Sequence, residues 1–234
     1  MADIPFASIR RVFERAARLA SQGTKVINFG IGRPDFDTPE HIKAAAKKAL
    51  DEGWVHYTPN AGVPGLRQAI ADSIQKYKQV AYSPETEIMV TAGGQEAIYL
   101  SLRAFLNPGD EILVPDPGYT QFVSAIRLAG GKALPMPMVI DDNCMPDLGA
   151  AGRLISPHTR GIIVNSPHNP TGAVLDPDQI AEIGRFAGTH GLVIFSDEAY
   201  DRIVFPGTDF SSPAALPGMK DRTVIWGSLS KTYA

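Results

Sequence analysis

The sequence alternates short apolar segments with helical ones from about residue 87 onward, and this alternation limits the folds open to the chain. Six runs have the β-branched or aromatic composition of buried strands, the last in this list being the weaker candidate: residues 88–91, 112–114, 162–164, 192–195, 223–226 and 132–138. Helical spacing predicts helices between them: residues 95–106, 119–128, 148–155 and 177–190, the last capped by Asp176. This pattern is typical of an α/β fold in which a mostly parallel sheet carries helices on both faces.

Helices and turn-rich loops, without strands, are predicted for the N-terminal part. Residues 5–21 have helical spacing, Thr38 and Pro39 are typical of the N-cap and first turn of a helix that ends at Gly53, and residues 64–79 predict a third helix. Composition marks no linker between residues 53 and 87. We predict that residues 1–53 form an N-terminal arm and part of a small domain, and that residues 54–234 form a large domain that is incomplete at its C-terminus.

Composition excludes several classes of function. The 234 residues carry a net charge of -3 with scattered Lys and Arg, so no basic surface for nucleic acid is predicted. No apolar run approaches the length of a membrane span, no signal-peptide pattern opens the chain, and one cysteine permits no intrachain disulfide. We therefore expect a soluble, cytoplasmic protein. The five histidines lack zinc-site spacing, so we predict no metal.

A glycine-rich turn follows the first predicted strand. Gly93, Gly94 and Gln95 lead directly into a predicted helix, where free main-chain N–H groups suit a phosphate. Taken alone, a tight packing turn explains the same residues.

Tyr119 and Asn169 follow two other predicted strands and would lie at the same edge of a parallel sheet. An aromatic ring there can stack on a flat cofactor, and an amide can donate to a phenolate-type oxygen. A simple turn explains the Asn-Pro-Thr-Gly sequence at 169–172 equally well.

Asp197 follows the predicted apolar strand at 192–195, and Tyr200 lies about one helical turn beyond Asp197. One interpretation is the acidic strand end of a nucleotide hydrolase, which holds magnesium beside a phosphate loop. The only near match to such a loop, around Gly130, lacks the required first glycine and the hydroxyl. The other is a carboxylate that pairs with a protonated pyridine nitrogen.

Lys231 comes just after the last predicted strand and allows three interpretations. It can be a solvated loop residue, which is the commonest fate of a lysine there. Ser228 to Lys231 also fits the S-x-x-K motif of penicillin-binding serine hydrolases, but the partner motifs of that class are missing downstream. The third interpretation is a Schiff-base lysine, which requires a carbonyl cofactor.

Together these features are the parts needed to hold pyridoxal phosphate. Six stretches, in the same order, resemble class I/II aminotransferases of the fold-type I pyridoxal-phosphate-dependent enzymes: Gly-Arg-Pro-Asp-Phe-Asp-Thr-Pro at 32–39, Tyr-Thr-Pro-Asn-Ala-Gly at 57–62, Thr-Ala-Gly-Gly-Gln-Glu-Ala at 91–97, Asn-Ser-Pro-His-Asn-Pro-Thr-Gly at 165–172, Ser-Asp-Glu-Ala-Tyr at 196–200 and Ser-Leu-Ser-Lys-Thr-Tyr-Ala at 228–234. The resemblance covers nearly the whole chain.

The resemblance implies a role for each matching residue at the ring of the cofactor. Lys231 would form the Schiff base, and Asp197 would pair with the pyridine nitrogen. Asn169 and Tyr200 would contact the 3-hydroxyl oxygen, and Tyr119 would stack on the ring. Lys231, Asp197 and Tyr200 are thus the residues to which the resemblance assigns catalysis.

Phosphate, substrate and subunit contacts follow from the same resemblance. The phosphate is assigned to a set of small and polar residues: Gly93, Gly94, Gln95, Ser228 and Ser230. Gly32 would offer its backbone to the substrate carboxylate, with Asn169 beside the substrate. Tyr57 would reach the phosphate of a neighbouring subunit, which implies a homodimer with shared active sites.

The sequence departs from the family pattern in two places. Family members continue beyond the lysine with a phosphate-binding arginine, a closing strand and a substrate-binding arginine, so we expect this chain to be the N-terminal portion of a longer protein. Arg33 stands where many relatives have an acidic or amide residue.

The implied activity is transamination between an L-amino acid and a 2-oxo acid. Two alternatives share the scaffold. One is a pyridoxal-phosphate-dependent lyase, of the carbon–sulfur β-lyase or aminocyclopropane carboxylate synthase type. The other is a non-catalytic regulatory domain that senses the cofactor, which would normally follow a helix-turn-helix domain.

Overall fold

The computed structural model describes residues 8–30, 32–141 and 143–234. The helices in these residues are α1 (Ser8–Ser21), α2 (Glu40–Asp51), α3 (Pro64–Lys78), α4 (Gly94–Phe105), α5 (Gln121–Leu128), α6 (Leu148–Leu154), α7 (Pro177–Thr189) and α8 (Leu229–Thr232), with short 3-10 helices at Pro213–Ala215 and Lys220–Arg222. The strands are β1 (Glu111–Asp116), β2 (Lys132–Val139), β3 (Met145–Pro146), β4 (Thr159–Asn165), β5 (Val193–Asp197) and β6 (Thr223–Trp226). None of the helices in the described ranges is long and apolar enough to cross a membrane.

The strands form one sheet in the order β3-β2-β1-β4-β5-β6. All neighbouring pairs are parallel except β2 with β3, which is antiparallel. The predicted, mostly parallel α/β architecture is therefore confirmed. Because parallel strands point the same way, the carboxyl ends of β1, β4, β5 and β6 meet at one edge, and this edge carries the candidate site.

Apolar side chains pack on both faces of the sheet, because successive residues of a strand point to opposite sides. In β1, Ile112 and Val114 join one core cluster, while Leu113 joins the other. Helices α4 and α5 cover the first cluster through Leu102 and Ile126, and α7 covers the second through residues such as Ile180 and Ile183. Helices on both faces were predicted from the alternating sequence pattern.

An aromatic group fixes the last strand against its neighbours. The ring of Trp226 stacks on that of Phe195 at 5.3 Å between centroids and on that of Phe122 at 6.0 Å. Its indole nitrogen donates a hydrogen bond of 2.9 Å to the hydroxyl of Ser101 on α4. The chain that leaves β6 toward Lys231 therefore starts from a rigid point.

The structure corrects some predicted elements. Residues 88–91 form no strand, since no described strand pairs with them. One backbone hydrogen bond joins the Val90 N–H to the carbonyl of Ala61 at 3.0 Å. The two-residue β3 was not predicted. Thr38 is not the N-cap of α2, because that position belongs to Pro39, whereas Asp176 caps α7 in a full capping box with Gln179.

Most other boundaries lie within a few residues of the predicted ones. Helix α1 begins at Ser8 in the described part of the chain, and the predicted start at Pro5 lies outside the described residues. Helix α3 ends at Lys78, with Gln79 as a left-handed C-cap.

Gly161 in β4 tests how tightly the sheet packs. A Cβ on Gly161 would lie 2.9 Å from the carbonyl oxygen of Val193 and 3.0 Å from the ring of Phe195. We expect Gly161→Ala to lower the free energy of unfolding by about 1–3 kcal/mol, because neighbouring backbone has to move. Gly188→Ala is the matched control: its Cβ meets only Met219 at 3.8 Å, and alanine favours the helix by up to about 1 kcal/mol. Equal stability changes in the two variants, measured by urea denaturation, would contradict this packing.

Candidate active site

Polar residues follow the strands at the carboxyl edge of the sheet. Asn165 ends β4 and pairs in register with Asp197 at the end of β5, which in turn pairs with Trp226 at the end of β6. Lys231 follows five residues beyond Trp226, in the short helix α8. The parallel sheet thus brings residues distant in sequence to one place.

Asp197 is a buried carboxylate. Its Oδ1 accepts a hydrogen bond of 3.1 Å from the N–H of Ala199. Burial raises the pKa of Asp197 to about 6, the Ala199 N–H acts in the opposite direction, and the charge of Glu198 adds to the rise. A carboxylate held in this way favours a cationic partner, which would restore the lost stabilisation of its charge.

Asn165 orients both Asp197 and the following loop. Its Nδ2 donates to the carbonyl oxygens of Asp197 and Pro167, each at 3.2 Å. Its Oδ1 accepts a bond of 2.9 Å from the N–H of Asn169. The side chain of Asn165 therefore fixes the position of Asn169, which is half-buried beside Asp197's strand.

The loop that carries Asn169 is closed by its own hydrogen bonds. The N–H of His168 donates to the carbonyl of Ala173 at 2.7 Å, and Gly172 returns a bond to the carbonyl of His168 at 2.8 Å. The buried imidazole contacts the hydroxyl of Thr171 at 2.8 Å. Burial lowers the pKa of His168 against the opposing effect of the Pro117 carbonyl, so the ring is neutral at neutral pH.

The N-terminus of α4 is open. Gly93 is its N-cap, with a φ of 89°, and no side chain caps the helix. A Cβ added to Gly93 or Gly94 would meet no atom within 4 Å. The first N–H groups of a helix lack intrahelical partners, and α4 is twelve residues long, so this end offers donors and a positive dipole to an anion.

Tyr119 lies between this helix end and Asp197. Its hydroxyl donates to Oε1 of Gln95 at 3.5 Å, and its ring contacts Phe122 edge-on at 5.3 Å between centroids. Burial raises the pKa of Tyr119, and the nearby Asp197 and Tyr200 add to the rise. The ring is thus held at the edge of the sheet by the apolar core beneath it.

Lys231 converges with Tyr200 and Gly32. The lysine Nζ donates a hydrogen bond of 2.5 Å to the carbonyl oxygen of Gly32 and lies 5.4 Å from the centroid of the Tyr200 ring. The Tyr200 hydroxyl donates to the same carbonyl at 3.3 Å. A Cβ on Gly32 would lie 2.7 Å from that hydroxyl, so only glycine permits this close approach.

The two serines and Tyr57 complete the predicted set. Ser228 is the N-cap of α8 and accepts a bond of 3.2 Å from the N–H of Ser230, which is exposed. Tyr57 is fully exposed, and within the described residues no hydrogen bond or ring contact joins it to the rest of the predicted site.

Two residues with a part in this arrangement were not assigned by the sequence. Asn165 is a polar residue at the end of an apolar strand, and that position was a usable signal. Lys78 forms a buried ion pair with Glu198, the residue after Asp197. The two are 120 residues apart, so sequence spacing gave no sign of the contact.

The arrangement fits a flat, anionic, carbonyl-bearing molecule. The open helix end can hold its phosphate, Tyr119 can cover a ring face, Asp197 can pair with a ring cation, and the amine of Lys231 can react with a carbonyl. The donors and acceptors present are those that pyridoxal phosphate requires.

Comparison with known protein families agrees with this geometry. Residues 24–234 match the sequence model for "Aminotransferase class I and II". The aromatic-amino-acid aminotransferase 2 of Thermococcus litoralis is 40% identical over 228 residues, which are 97% of this chain and 58% of that protein. An aspartate aminotransferase of Pyrococcus abyssi is also 40% identical over the same shares of the two chains. The chain therefore spans about 58% of the length of these relatives.

Solved structures show the same fold. A structure described as Pyrococcus protein-A1 matches with a TM-score of 0.93 at 40% identity, over 98% of this chain and 58% of that one. The aspartate aminotransferase from Thermus thermophilus with maleate matches with a TM-score of 0.93 at 34% identity, over 99% and 59%.

Asp197→Asn tests whether burial of the carboxylate destabilises the cofactor-free protein. A pKa raised from 3.8 to about 6 means that the folded state holds the proton more tightly. Ionisation of Asp197 therefore lowers the free energy of unfolding of the wild-type protein. This penalty is absent below about pH 4, grows as the pH rises to about 6 and is then constant, on the order of 3 kcal/mol at most. We expect the free energy of unfolding of Asp197→Asn, relative to wild type, to rise over this window.

The measurement is urea denaturation of the cofactor-free protein at a series of pH values. The exposed Asp209→Asn controls for the removal of one negative charge. A difference between Asp197→Asn and wild type that is the same at every pH would contradict the buried-carboxylate assignment.

Proposed function

The chain belongs to the class I and II aminotransferase family, and we propose that the protein is a pyridoxal-5′-phosphate-dependent aminotransferase that moves an amino group between an L-amino acid and a 2-oxo acid. One observation carries the proposal: the amine of Lys231 contacts the carbonyl of Gly32 at 2.5 Å and lies 5.4 Å from the ring of Tyr200, in the turn that follows the buried Asp197. A reactive amine and a carboxylate for a ring nitrogen are the two groups this chemistry needs from the protein.

Asp197, Asn169 and Tyr200 are proposed to hold the ring of the cofactor. When bound, pyridoxal phosphate supplies an electron-accepting ring that spreads negative charge away from the substrate Cα. Asp197 keeps a proton on the ring nitrogen through a charge-assisted hydrogen bond. Asn169 and Tyr200 donate to the 3-hydroxyl oxygen, and Tyr119 covers one face of the ring and excludes water.

Lys231 has two proposed tasks. Its Nζ would hold the cofactor covalently through the cofactor's carbonyl carbon, with release of water, and the free amine would serve as the general acid/base that moves the proton of the substrate Cα. Its hydrogen bond to Gly32 places this amine beside a backbone segment that is proposed to hold the substrate carboxylate. Asn169, held by Asn165 in the loop after β4, is proposed to contact the substrate as well.

The phosphate is proposed to bind where α4 begins. Gly93 and Gly94 leave open space at the helix end, and Gln95 lies in the first turn. Ser228 and Ser230, in the chain that follows β6, are proposed to add hydroxyl groups to this site. The α4 dipole and the free N–H groups favour a dianion at this place.

The protein is further proposed to be a cytoplasmic homodimer with shared sites. Tyr57 is fully exposed in this chain and is free to reach the phosphate of a neighbouring subunit. The proposed division into residues 1–53 and 54–234 is supported by α2, which has no buried residue and therefore does not belong to the sheet's core.

Borohydride trapping of the full-length protein tests the proposed role of Lys231. We expect reduction with pyridoxal phosphate, followed by peptide mass mapping, to place one pyridoxyl group on Lys231. Lys231→Ala should bind the cofactor without covalent attachment and lose at least about 10²–10⁴-fold in turnover, the range that a proton-transferring group contributes.

Lys48→Ala is the control, because Lys48 is an exposed lysine on α2 whose one ion pair within the described residues is with Glu52, the C-cap of that helix. It should keep both the adduct and turnover. Normal turnover by Lys231→Ala, or no adduct on folded wild-type protein, would refute the proposed function.

Hybrid dimers test whether Tyr57 serves the neighbouring subunit. Tyr57→Ala should weaken cofactor binding about tenfold or more, because a hydrogen bond to a charged phosphate is lost. A hybrid of one Tyr57→Ala and one Lys231→Ala subunit contains one site with both residues intact and one with neither. At low cofactor concentration we expect one trapped pyridoxyl group per hybrid.

The two homodimers are the references: Tyr57→Ala should trap little cofactor at that concentration, and Lys231→Ala none. If the hybrid traps no more than the Tyr57→Ala homodimer, Tyr57 does not act across a subunit boundary.

A further inference from the structure

A buried ion cluster joins the end of α3 to the turn that follows β5. Lys78, the last residue of α3, is buried, and its Nζ contacts Glu198 Oε2 at 2.6 Å and Asp201 Oδ2 at 2.8 Å. Taking three charges out of water is costly, and the cost is offset only where the geometry and the remaining hydrogen bonds are good.

The remaining bonds of Glu198 are satisfied. Its Oε1 accepts hydrogen bonds from the hydroxyls of Ser196 at 2.8 Å and Ser212 at 2.6 Å. Its N–H donates to the carbonyl of Trp226 at 2.9 Å, which extends the pairing of β5 with β6. Glu198 is therefore held at both its side chain and its backbone.

The cluster encloses the segment that carries the proposed cofactor contacts. Asp197 precedes Glu198, and Tyr200 precedes Asp201, so Lys78 bridges the two ends of one turn. The N–H of Asp201 closes this turn on the carbonyl of Glu198 at 3.1 Å. Within the described residues, no contact joins Lys78 itself to Lys231 or to the other proposed cofactor contacts.

The charge of the cluster bears on Asp197. Burial is the main cause of the raised pKa of Asp197, and the charge of Glu198 raises it further. Burial pushes the pKa of Lys78 down, but Glu198 and Asp201 outweigh this effect and the net pKa is raised, so Lys78 stays charged at neutral pH. The ammonium group thus opposes the charge of Glu198, which directly follows Asp197, and that of Asp201 at the other end of the same turn.

We propose that Lys78 is a positioning residue for the cofactor: it compensates the charges of Glu198 and Asp201 and fixes their turn, so that Asp197 meets the cofactor nitrogen as an anion. The inference rests on the proposed function. It predicts that loss of Lys78 changes cofactor binding through the ionisation of Asp197, which a purely structural role would not do.

Pyridoxamine 5′-phosphate is the probe, because it cannot form a covalent bond with Lys231. Its dissociation constant is measured by fluorescence titration of the full-length, cofactor-free protein from about pH 5 to 9, a range that includes the raised pKa of Asp197, about 6. The variants are Lys78→Met, Glu198→Gln and the double variant, in which the net charge of the cluster equals that of wild type. Lys76→Met, which removes an exposed lysine from the same helix, is the control.

The acid limb of the binding profile is the pH range in which affinity falls because Asp197 becomes protonated. We expect Lys78→Met to move this limb to higher pH by about one unit, since an uncompensated neighbouring carboxylate disfavours a second anion. Affinity should fall about fivefold near pH 6 and about tenfold at the acid end of the range, and it should approach wild type near pH 8.5, where Asp197 is ionised in both proteins. The double variant should return the limb to its wild-type position, and Lys76→Met should leave it there. Tyr119, which interacts electrostatically with Asp197, and Tyr200, in the same turn, are unchanged in every variant, so their contributions cancel.

Glu198→Gln keeps Lys78 and should move the acid limb downward, which provides a test if Lys78→Met does not fold. An equal loss of affinity at every pH in Lys78→Met, without recovery in the double variant, overturns the proposal, as does an unmoved limb in Glu198→Gln. Wild-type protein that binds no pyridoxamine phosphate overturns the proposed function itself, and the two failures are thereby separate.

Discussion

The shared direction of β1, β4, β5 and β6 is the constraint on which the site depends. Parallel strands place all their carboxyl ends at one edge, so Asn165, Asp197 and the segment that leads to Lys231 meet there without any special loop. The stacking of Trp226 on Phe195 then fixes the last strand in register with its neighbour. Core packing therefore also determines the geometry of the site, because a shift of β6 would move the Lys231 amine relative to the Asp197 carboxylate.

The structure also has to offset the free-energy cost of burying charged side chains. Among the described residues, the hydrogen bond to the buried carboxylate of Asp197 comes from the Ala199 N–H, while the adjacent Glu198 contacts Lys78, Ser196 and Ser212. The protein thus satisfies the carboxylate of Glu198 and leaves that of Asp197 poorly compensated. A buried acid with few partners is suited to a cationic ligand atom, so the electrostatic cost of Asp197 and its proposed role are linked.

Local signals in the sequence were sufficient for much of the fold and for the set of candidate residues. Strand β6 and the Asp176 cap follow from residues within one short segment, and Asp197 could be found because it ends an apolar run. The strand at 88–91 was wrong because a strand exists only through its partner, which the segment's own composition does not reveal. The Lys78–Glu198 ion pair was not predicted for the same reason, because it joins residues 120 positions apart.

The hydrogen bond between Lys231 and Gly32 spans 199 residues of sequence. A ribosome that has made the first segment must therefore add the entire sheet before the lysine emerges to meet it. The sheet can form its apolar core strand by strand, but the Lys231 amine meets Gly32 only after the six strands between them have been made. A chain that stops before residue 231 therefore contains the Gly32 carbonyl and the strands of the sheet but lacks the contact that joins the two ends of this segment.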